Sequence, residues 1–171
     1  MESTVTVSAS SQSMRRVVPS PLPKRIFGVE TIEVLLRDGA VVICAGGGGI
    51  PVMYTDEPVP AGRRLVGIEA VIDKDLASAL LAKDLAADAL AIVTDVDGVY
   101  AGWGTPDQRK IDRATPEELS GSEFAEGSMG PKVKAACQFV EQTGGSAVIG
   151  SITETQAMLR GEAGTTVTRA T

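Results

Sequence analysis

The stretch ALAIVTDVDG at residues 89–98 has the sequence of a buried strand that ends in an acidic loop closed by glycine. Its first five residues are apolar without interruption, which is typical of a parallel strand that is covered on both faces. The residues before it, 73–85, predict a helix with leucines along one face. A helix followed by a buried strand and a polar loop is the repeating unit of α/β proteins.

Similar units flank this stretch on both sides. Residues 40–44 (AVVIC) predict a second strand buried on both faces, and it leads directly into a run of glycines. Residues 147–150 predict a third, short strand, which is followed by a helix across residues 153–160. Residues 165–168 suit a last strand. This alternation predicts an α/β fold with a largely parallel sheet.

Further helices are predicted from capping residues and proline. Thr31 is suited to cap a helix, Pro116 to begin a short one, and a longer helix is expected to follow Pro131. Residues 54–64 are a polar, proline-containing stretch, and residues 102–115 are interpreted as irregular.

The composition indicates one folded domain of ordinary polarity. Apolar residues make up 43% and charged residues 22% of the 171 residues, which suits a single domain with a core. The formal net charge is −6, which argues against nucleic-acid or anionic-membrane partners. No apolar run reaches the roughly 18 residues needed to span a bilayer. The start of the sequence lacks the pattern of a secretory signal, so we expect a cytoplasmic protein.

The absence of histidine restricts the chemistry. It excludes Ser-His-Asp and Cys-His catalysis and every zinc site that uses histidine. Any reaction must rely on lysine, carboxylates, backbone N–H groups or a bound metal. Cys44 and Cys137 lie far apart and outside any CxxC motif, so we interpret them as buried thiols in a reducing compartment.

A glycine run follows the predicted strand at residues 40–44. It consists of Gly46, Gly47, Gly48 and Gly49. Such a run lets backbone N–H groups approach an anion without interference from Cβ atoms, although a flexible turn is an equally good interpretation. Neither GxxxxGK[ST] nor GxGxxG occurs in the sequence, so the two common phosphate-binding motifs are excluded.

Two lysines lie where helices are predicted to begin. Aspartate at a helix start complements the helix dipole, so capping explains one of Asp73 and Asp75. Lysine at the same place opposes the dipole, and Lys74 and Lys132 both do so. Solvated surface lysines remain an alternative for each. Together, with an acid between them, they predict a phosphoryl-transfer site, which works by positioning and charge neutralisation and needs no histidine.

Long, ordered motifs in this sequence resemble the carbamate kinase family of the amino-acid kinase superfamily. The resemblance covers residues 15–168 without a large gap. It rests on the stretches RRVVPSP (15–21), CAGGGGIPV (44–52), GIEAVIDKDLAS (67–78), ALAIVTDVDGVY (89–100), WGTPDQRKI (103–111) and FAEGSMGPKVKAA (124–136). It implies a three-layer αβα sandwich with a mostly parallel sheet. The implied reaction is reversible phosphate transfer between ATP and carbamate, giving ADP and carbamoyl phosphate, with Mg²⁺ bound to the nucleotide.

The resemblance also implies roles for the charged residues. Lys132 matches the lysine that contacts the ATP phosphates. Asp75 matches the aspartate that organises the catalytic lysines, and Lys74 a further phosphate contact. These three are the catalytic candidates.

Further residues are implied in binding. Thr94, Asp95, Val96 and Met129 are expected to line the nucleotide pocket, and the glycines at 46–49 to lie near the transferring phosphate and the carbamate. No residue of this chain is expected to bind a metal directly.

The resemblance covers only part of the family's length. A complete carbamate kinase is about twice as long, and this sequence corresponds to its carboxyl-terminal, nucleotide-binding half. Residues 1–14, rich in serine and threonine, do not resemble the family and are interpreted as a flexible leader before a kinase domain at residues 15–171. The family implies a homodimer, a role in arginine metabolism and dependence on an amino-terminal half. An inactive nucleotide-binding remnant and a sister kinase acting on a carboxylate remain alternatives.

Overall fold

A computed structural model describes residues 5–7, 14–59, 62–122, 124 and 128–170. The helices are α1 (Val29–Arg37), α2 (Lys74–Asp84), α3 (Pro116–Ser120), α4 (Met129–Thr143) and α5 (Thr155–Leu159), with a 3-10 turn at Ile152–Glu154. The strands are β1 (Val5–Val7), β2 (Met14–Arg16), β3 (Val52–Val59), β4 (Gly62–Gly67), β5 (Ala89–Thr94), β6 (Val99–Ala101), β7 (Arg109–Ile111), β8 (Arg113–Ala114), β9 (Ser146–Ser151) and β10 (Thr165–Val167).

A four-stranded sheet in the order β5-β9-β10-β8 forms the centre of the fold. β5 pairs in parallel with β9 over its whole length, β10 pairs in parallel with β8, and β9 and β10 are antiparallel. The other strands form the hairpins β1-β2, β3-β4 and β6-β7. The predicted α/β class with a mostly parallel sheet is confirmed.

Helices cover both faces of β9. Ala147 and Ile149, which point to one face, belong to the same buried apolar cluster as Phe139 of α4. On the opposite face, a Cβ atom placed on Gly150 would lie 3.1 Å from the Met158 sulfur of α5. Burying a side chain such as Phe139 contributes roughly 1.5–3 kcal/mol to stability. The layers are therefore helix, sheet, helix, as the resemblance implied.

Several predicted helix boundaries follow from caps that the structure contains. The Thr115 hydroxyl accepts from the backbone N–H of Glu118, whose carboxylate accepts from the N–H of Thr115, so both ends of a capping box begin α3 at Pro116. Gly144 ends α4 in the left-handed region with φ of 75°. The predicted cap of α1 is wrong, because the helix begins after Gly28 and not at Thr31.

The predicted strand at residues 40–44 is wrong. These residues form no strand and pair with no described strand, and Val41 and Ile43 are 95% and 97% exposed. A strand needs hydrogen-bonded neighbours on its edges, and the described part of the chain provides none for this run. The apolar sequence that predicted burial is instead an uncovered surface.

The polar stretch at residues 54–64 and the stretch interpreted as irregular at residues 102–115 both contain paired strands. Most of residues 54–64 lies in the β3-β4 hairpin, whose register shifts between Tyr54 and Pro58. Residues 102–115 include β7 and β8, and β7 pairs antiparallel with β6. Pro, Gly and charged residues have low strand propensity, so the sequence of these stretches did not indicate strands. Pairing with a neighbouring strand overrides that low propensity in the folded chain.

Of the predicted leader at residues 1–14, only residues 5–7 and 14 are described. Val5–Val7 pairs antiparallel with Met14–Arg16, so the predicted boundary after residue 14 falls inside β2. The remaining leader residues lie outside the described part. The division into leader and domain stays a prediction.

The cysteines are free and half-buried rather than fully buried. Burial, with smaller contributions from the nearby carboxylates of Glu141 and Glu117, raises the pKa of the Cys137 thiol to about 11. The Cys137 thiol is therefore protonated and weakly nucleophilic at neutral pH. Among the described helices, none has both the length and the apolar character needed to cross a bilayer.

Candidate functional site

The glycine run packs against the residues that begin α2. Gly48 has φ of +122°, and a Cβ atom placed on it would lie 2.1 Å from the carbonyl oxygen of Ile72. Its backbone N–H donates to the carbonyl of Ala45 at 3.0 Å, which closes the turn. Only glycine permits both this conformation and this approach. The glycine run and the start of α2, which carries Lys74 and Asp75, are therefore neighbours in the structure.

Asp73 and Asp75 have different roles at the start of α2. The Asp73 carboxylate is the N-cap and accepts from the backbone N–H groups of Asp75 and Leu76 at 2.8 and 3.0 Å. Asp75, the one buried charged residue in the described part of the chain, is thereby left to bind side chains. Sequence reasoning expected capping to explain one of these acids, and the structure identifies it as Asp73.

Asp75 joins the two lysines that the sequence singled out. Its Oδ2 atom lies 3.0 Å from the Nζ of Lys132 and 3.5 Å from the Nζ of Lys74. The Lys132 side chain is 13% exposed, whereas that of Lys74 is 61% exposed. Lys132 is thus held against the carboxylate, and Lys74 lies at the solvent side of the same group. We call these three residues the Asp75 cluster.

The Asp75 cluster lies between two helix starts. Lys74 and Asp75 occupy the first turn of α2, and Lys132 occupies the first turn of α4. The N-cap residue of α4, Ser128, makes no side-chain capping hydrogen bond. The first N–H groups of a helix have no partner within the helix, and together with ammonium groups they favour an anion. This arrangement can bind and neutralise a phosphate.

The residues predicted to line the nucleotide pocket occupy two places. Thr94 and Asp95 lie at the carboxyl end of β5, where the Thr94 hydroxyl donates to the exposed Asp95 carboxylate at 3.0 Å. Val96 follows them, half-buried, in the loop. Met129 is the first residue of α4 and packs against the main apolar cluster. Within the described residues, no hydrogen bond or ion pair joins Thr94 or Asp95 to the Asp75 cluster.

Sequence reasoning missed a second charged cluster beside the β5 loop. The Asp97 carboxylate lies 3.1 Å from the Nζ of Lys110 and accepts from the Tyr100 hydroxyl at 3.0 Å. These hydrogen bonds, that of Lys110 first, lower the pKa of Asp97 below its ordinary value. The sequence contains a signal for this cluster, because glycine and proline separate the short runs VYA at 99–101 and RKI at 109–111, which is typical of a hairpin. In the structure this hairpin pairs Tyr100 with Lys110.

The pKa values of Tyr100 and Lys110, the two partners of Asp97, are both raised. The hydrogen bond to Asp97 raises the pKa of Tyr100. Burial opposes the charged form of Lys110, but the hydrogen bond and charge of Asp97 outweigh it, so the pKa of Lys110 is raised. At neutral pH the Asp97–Lys110 pair is therefore fully ionised.

The chain is similar to curated carbamate kinases over most of its length. It is 51% identical over 165 residues to the carbamate kinase of Haemophilus influenzae, covering 96% of this chain and 52% of the relative. It is 54% identical over 153 residues to that of Rhizobium meliloti, covering 90% and 46%. The chain spans about half the length of the curated relatives it matches.

Solved structures agree with the sequence relatives. A carbamate kinase from Giardia lamblia bound to AMP-PNP superposes with a TM-score of 0.86 at 37% identity, over 99% of this chain and 52% of that one. An N-acetylglutamate synthase from Neisseria gonorrhoeae, complexed with coenzyme A and L-arginine, reaches a TM-score of 0.51 at 21% identity, which shows a shared fold alone. Residues 3–151 match the amino acid kinase family, including most of the stretch interpreted as a leader. With most of its length inside that match, the chain belongs to the amino acid kinase family.

Proposed function

We propose that this chain is the nucleotide-binding half of a carbamate kinase, which transfers phosphate reversibly between ATP and carbamate. The observation that carries the proposal is the Asp75 cluster, which joins the starts of α2 and α4 beside the glycine run. The cluster occurs in a chain about half identical to carbamate kinases. The sister-kinase alternative is less well supported, because the relatives at 51% and 54% identity are named carbamate kinase.

The charge arrangement suits phosphoryl transfer. Lys132 would contact the nucleotide phosphates at the start of α4, and Lys74 would meet the transferring group from the solvent side. Asp75 would hold both ammonium groups in place, since a lysine side chain is otherwise free to turn away. Glycine N–H groups at residues 46–49 would add donors without bulk. Charge on the transferring group is then neutralised from several directions, which is the main catalytic contribution in such reactions.

Mg²⁺ would enter with the nucleotide. The described residues contain no group of three or more acidic, histidine or cysteine side chains placed to hold a metal. Asp75, the buried carboxylate of the site, is already bound by lysines. Magnesium commonly binds substrate phosphates and waters with few protein ligands, so these residues fit a metal carried by ATP or ADP. The ion would supply positive charge to the phosphates of the nucleotide.

The nucleotide would lie between the β5 loop and the start of α4. Asp95 is exposed there and accepts a hydrogen bond from Thr94, while Met129 offers an apolar surface. The carboxyl ends of parallel strands are the usual place for such ligands. Thr94, Asp95, Val96 and Met129 are proposed to bind the nucleoside, with the phosphates directed towards Lys132.

An amino-terminal half would cover the uncovered apolar surface. Val41, Ile43 and Ile50 are at least 89% exposed, in the segment that contains the glycine run. Beside it, a cavity of about 730 Å³ is lined by Pro21, Phe27, Ile72, Leu81 and others. The relatives are about twice as long as this chain, so the half that they have in addition would be available to cover this apolar surface. That half would also complete the carbamate pocket.

Several properties of the whole enzyme are proposed from the family alone. These are a homodimer, a cytoplasmic location, a role in arginine metabolism and net operation towards ATP. An inactive nucleotide-binding remnant is the competing proposal, favoured by the uncovered surface around residues 40–50. Calorimetry with Mg-ADP tests the binding that both proposals share. ATP formation from ADP and carbamoyl phosphate, with an amino-terminal half present, separates the enzyme from the remnant.

A further inference from the structure

The loop at the carboxyl end of β5 is held by a lysine from another strand. Asp97 lies in the turn between β5 and β6, and Lys110 lies on β7, opposite Tyr100. Both Lys110 and the Tyr100 hydroxyl bind the Asp97 carboxylate, at 3.1 and 3.0 Å. The β6-β7 hairpin therefore contacts the loop after β5 through the Asp97 carboxylate.

The lysine passes over the loop at a glycine. A Cβ atom placed on Gly98 would lie 2.8 Å from Cε of Lys110 and 2.9 Å from the Thr165 hydroxyl. That hydroxyl is fully buried, accepts from the N–H of Val99 at 2.7 Å and donates to the carbonyl of Ile111 at 2.5 Å. Gly98 therefore makes room for the lysine stem, while Thr165 joins the base of the hairpin to β10.

The opposite side of the loop rests on β9. A Cβ atom placed on Gly150 would lie 3.3 Å from the carbonyl oxygen of Asp97. The loop backbone at Asp97 is thereby confined between Gly150 and the Lys110 side chain. Asp95, two residues earlier, remains exposed. The two aspartates of the DVD sequence differ accordingly: Asp97 binds Lys110 and Tyr100, whereas the exposed Asp95 accepts one hydrogen bond, from Thr94, and keeps further acceptor positions for a ligand.

We propose that Lys110 is a positioning residue for the nucleotide loop. By binding Asp97 across Gly98, it keeps the loop in the conformation that presents Asp95 and Val96 to the nucleotide. The inference rests on the proposed function, because it assigns the loop to nucleotide binding. It adds a residue outside the predicted site, and it separates the roles of Asp95 and Asp97.

The exposure of the pair argues for an effect on loop geometry more than on global stability. The Asp97 and Lys110 side chains are 48% and 29% exposed. Ion pairs of this exposure contribute about 1 kcal/mol or less to the free energy of unfolding. Removing the charge should therefore leave the fold intact, while the loop loses a restraint beside its ligand.

The test compares Mg-ADP affinity by calorimetry in matched lysine variants. Lys110→Met keeps the stem and removes the charge, and it should weaken binding about 10-fold. Lys110→Arg should restore affinity to within about 3-fold of wild type, which a loss of packing would not explain. The control is Lys83→Met, which breaks another lysine–aspartate contact, that of Lys83 with Asp84 at 3.7 Å, and should bind like wild type.

A double-mutant cycle and a spectroscopic readout locate the effect. If Lys110 acts through Asp97, then Lys110→Met should add less than about 2-fold to the weakening that Asp97→Asn causes alone. Trp103, the single tryptophan of the chain, packs edge-on against Tyr100 with ring centroids 5.3 Å apart. Its emission should change in Lys110→Met and stay unchanged in Lys83→Met.

The outcomes separate the two claims. Wild-type affinity in Lys110→Met, beside clear binding by wild type, would overturn the inference and leave the pair as a brace of the hairpin. If wild type fails to bind Mg-ADP, the inference falls together with the proposed function. Should Lys110→Met not fold, Tyr100→Phe carries the test, because it removes a single hydroxyl group. It should weaken Mg-ADP about 3-fold, and unchanged affinity would overturn the inference.

Discussion

The Nζ of Lys132 lies 3.0 Å from Oδ2 of Asp75, across a sequence separation of 57 residues. The contact joins the first turns of α4 and α2, and both side chains are at most 13% exposed. Each of these poorly solvated side chains depends on the other as its partner, because leaving one of them buried and unpaired costs several kcal/mol. The pair is thus both a link between two elements and a preformed positive site, since Lys74 adds a second ammonium group.

Lys132→Ala should weaken Mg-ADP binding by about 1–3 kcal/mol, the range for a hydrogen bond to a charged group. Calorimetry measures this change. The control is Lys134→Ala, which removes an exposed lysine from the same helix. Equal affinity in wild type and Lys132→Ala would show that Lys132 does not contact the phosphates.

Gly48→Ala should disrupt the site, whereas Gly47→Ala should not. A Cβ atom on Gly48 would meet the Ile72 carbonyl, and the φ of +122° disfavours alanine, whereas a Cβ atom on Gly47 meets nothing within 4 Å. We expect Gly48→Ala to lower the free energy of unfolding by more than about 1 kcal/mol relative to Gly47→Ala. Denaturant titration of both variants measures the difference. Equal stability would mean that the glycine run does not pack against the start of α2.

The isolated chain should self-associate. Val41 and Ile43 are almost fully exposed, and apolar surface of this kind favours contact with another chain. Light scattering at micromolar concentration should show species larger than a monomer. Val41→Lys/Ile43→Lys should reduce them, and Leu159→Lys, on the exposed side of α5, should not. A wild-type protein that stays monomeric would argue against an uncovered interface here.

The Asp97–Lys110 pair should stabilise the fold within a defined pH window. The depressed pKa of Asp97 gives stability above the ordinary carboxyl pKa of about 3.9, and this is lost as pH falls through the folded-state pKa. The raised pKa of Lys110 gives stability below about pH 10.4, and this is lost as pH rises through the folded value.

The comparison of wild type with Lys110→Met tests this window. Unfolding free energies should differ by about 1 kcal/mol or less between pH 5 and 9, and the difference should shrink towards pH 3. Tyr100 and Asp112 also act on this pair, so Tyr100→Phe serves as the control for the hydroxyl group. A difference that grows on acidification would contradict the assigned direction.

Local sequence patterns predicted elements with a continuous apolar face that other parts of this chain cover, such as β5 and α4. β5 and α4 have buried faces that neighbouring elements of the described chain cover, so apolar pattern and caps sufficed. Residues 40–44 have the same pattern without such neighbours, and the predicted strand did not form. Whether an apolar run is buried depends on distant strands, which periodicity does not report.

The site shows the same division between local and distant information. Local sequence was sufficient to single out Lys74, Asp75 and Lys132, because all three lie at predicted helix starts. The two lysines oppose the helix dipole there, and the aspartate complements it. No local pattern singles out Lys110. Its proposed role depends on the β6-β7 register, on the space at Gly98 and on the position of Asp97. Those relationships become visible only when the hairpin is folded against the β5 loop.

The most direct measurement is ATP formation from ADP and carbamoyl phosphate by this chain, alone and with the amino-terminal half of a carbamate kinase. The lone chain should form almost no ATP, because losing one oxyanion-type contact already costs roughly 100- to 1000-fold. The two halves together should form ATP, and Lys74→Ala/Lys132→Ala should abolish it. Clear activity of the lone wild-type chain, or none from a stable complex of both halves, would contradict the account.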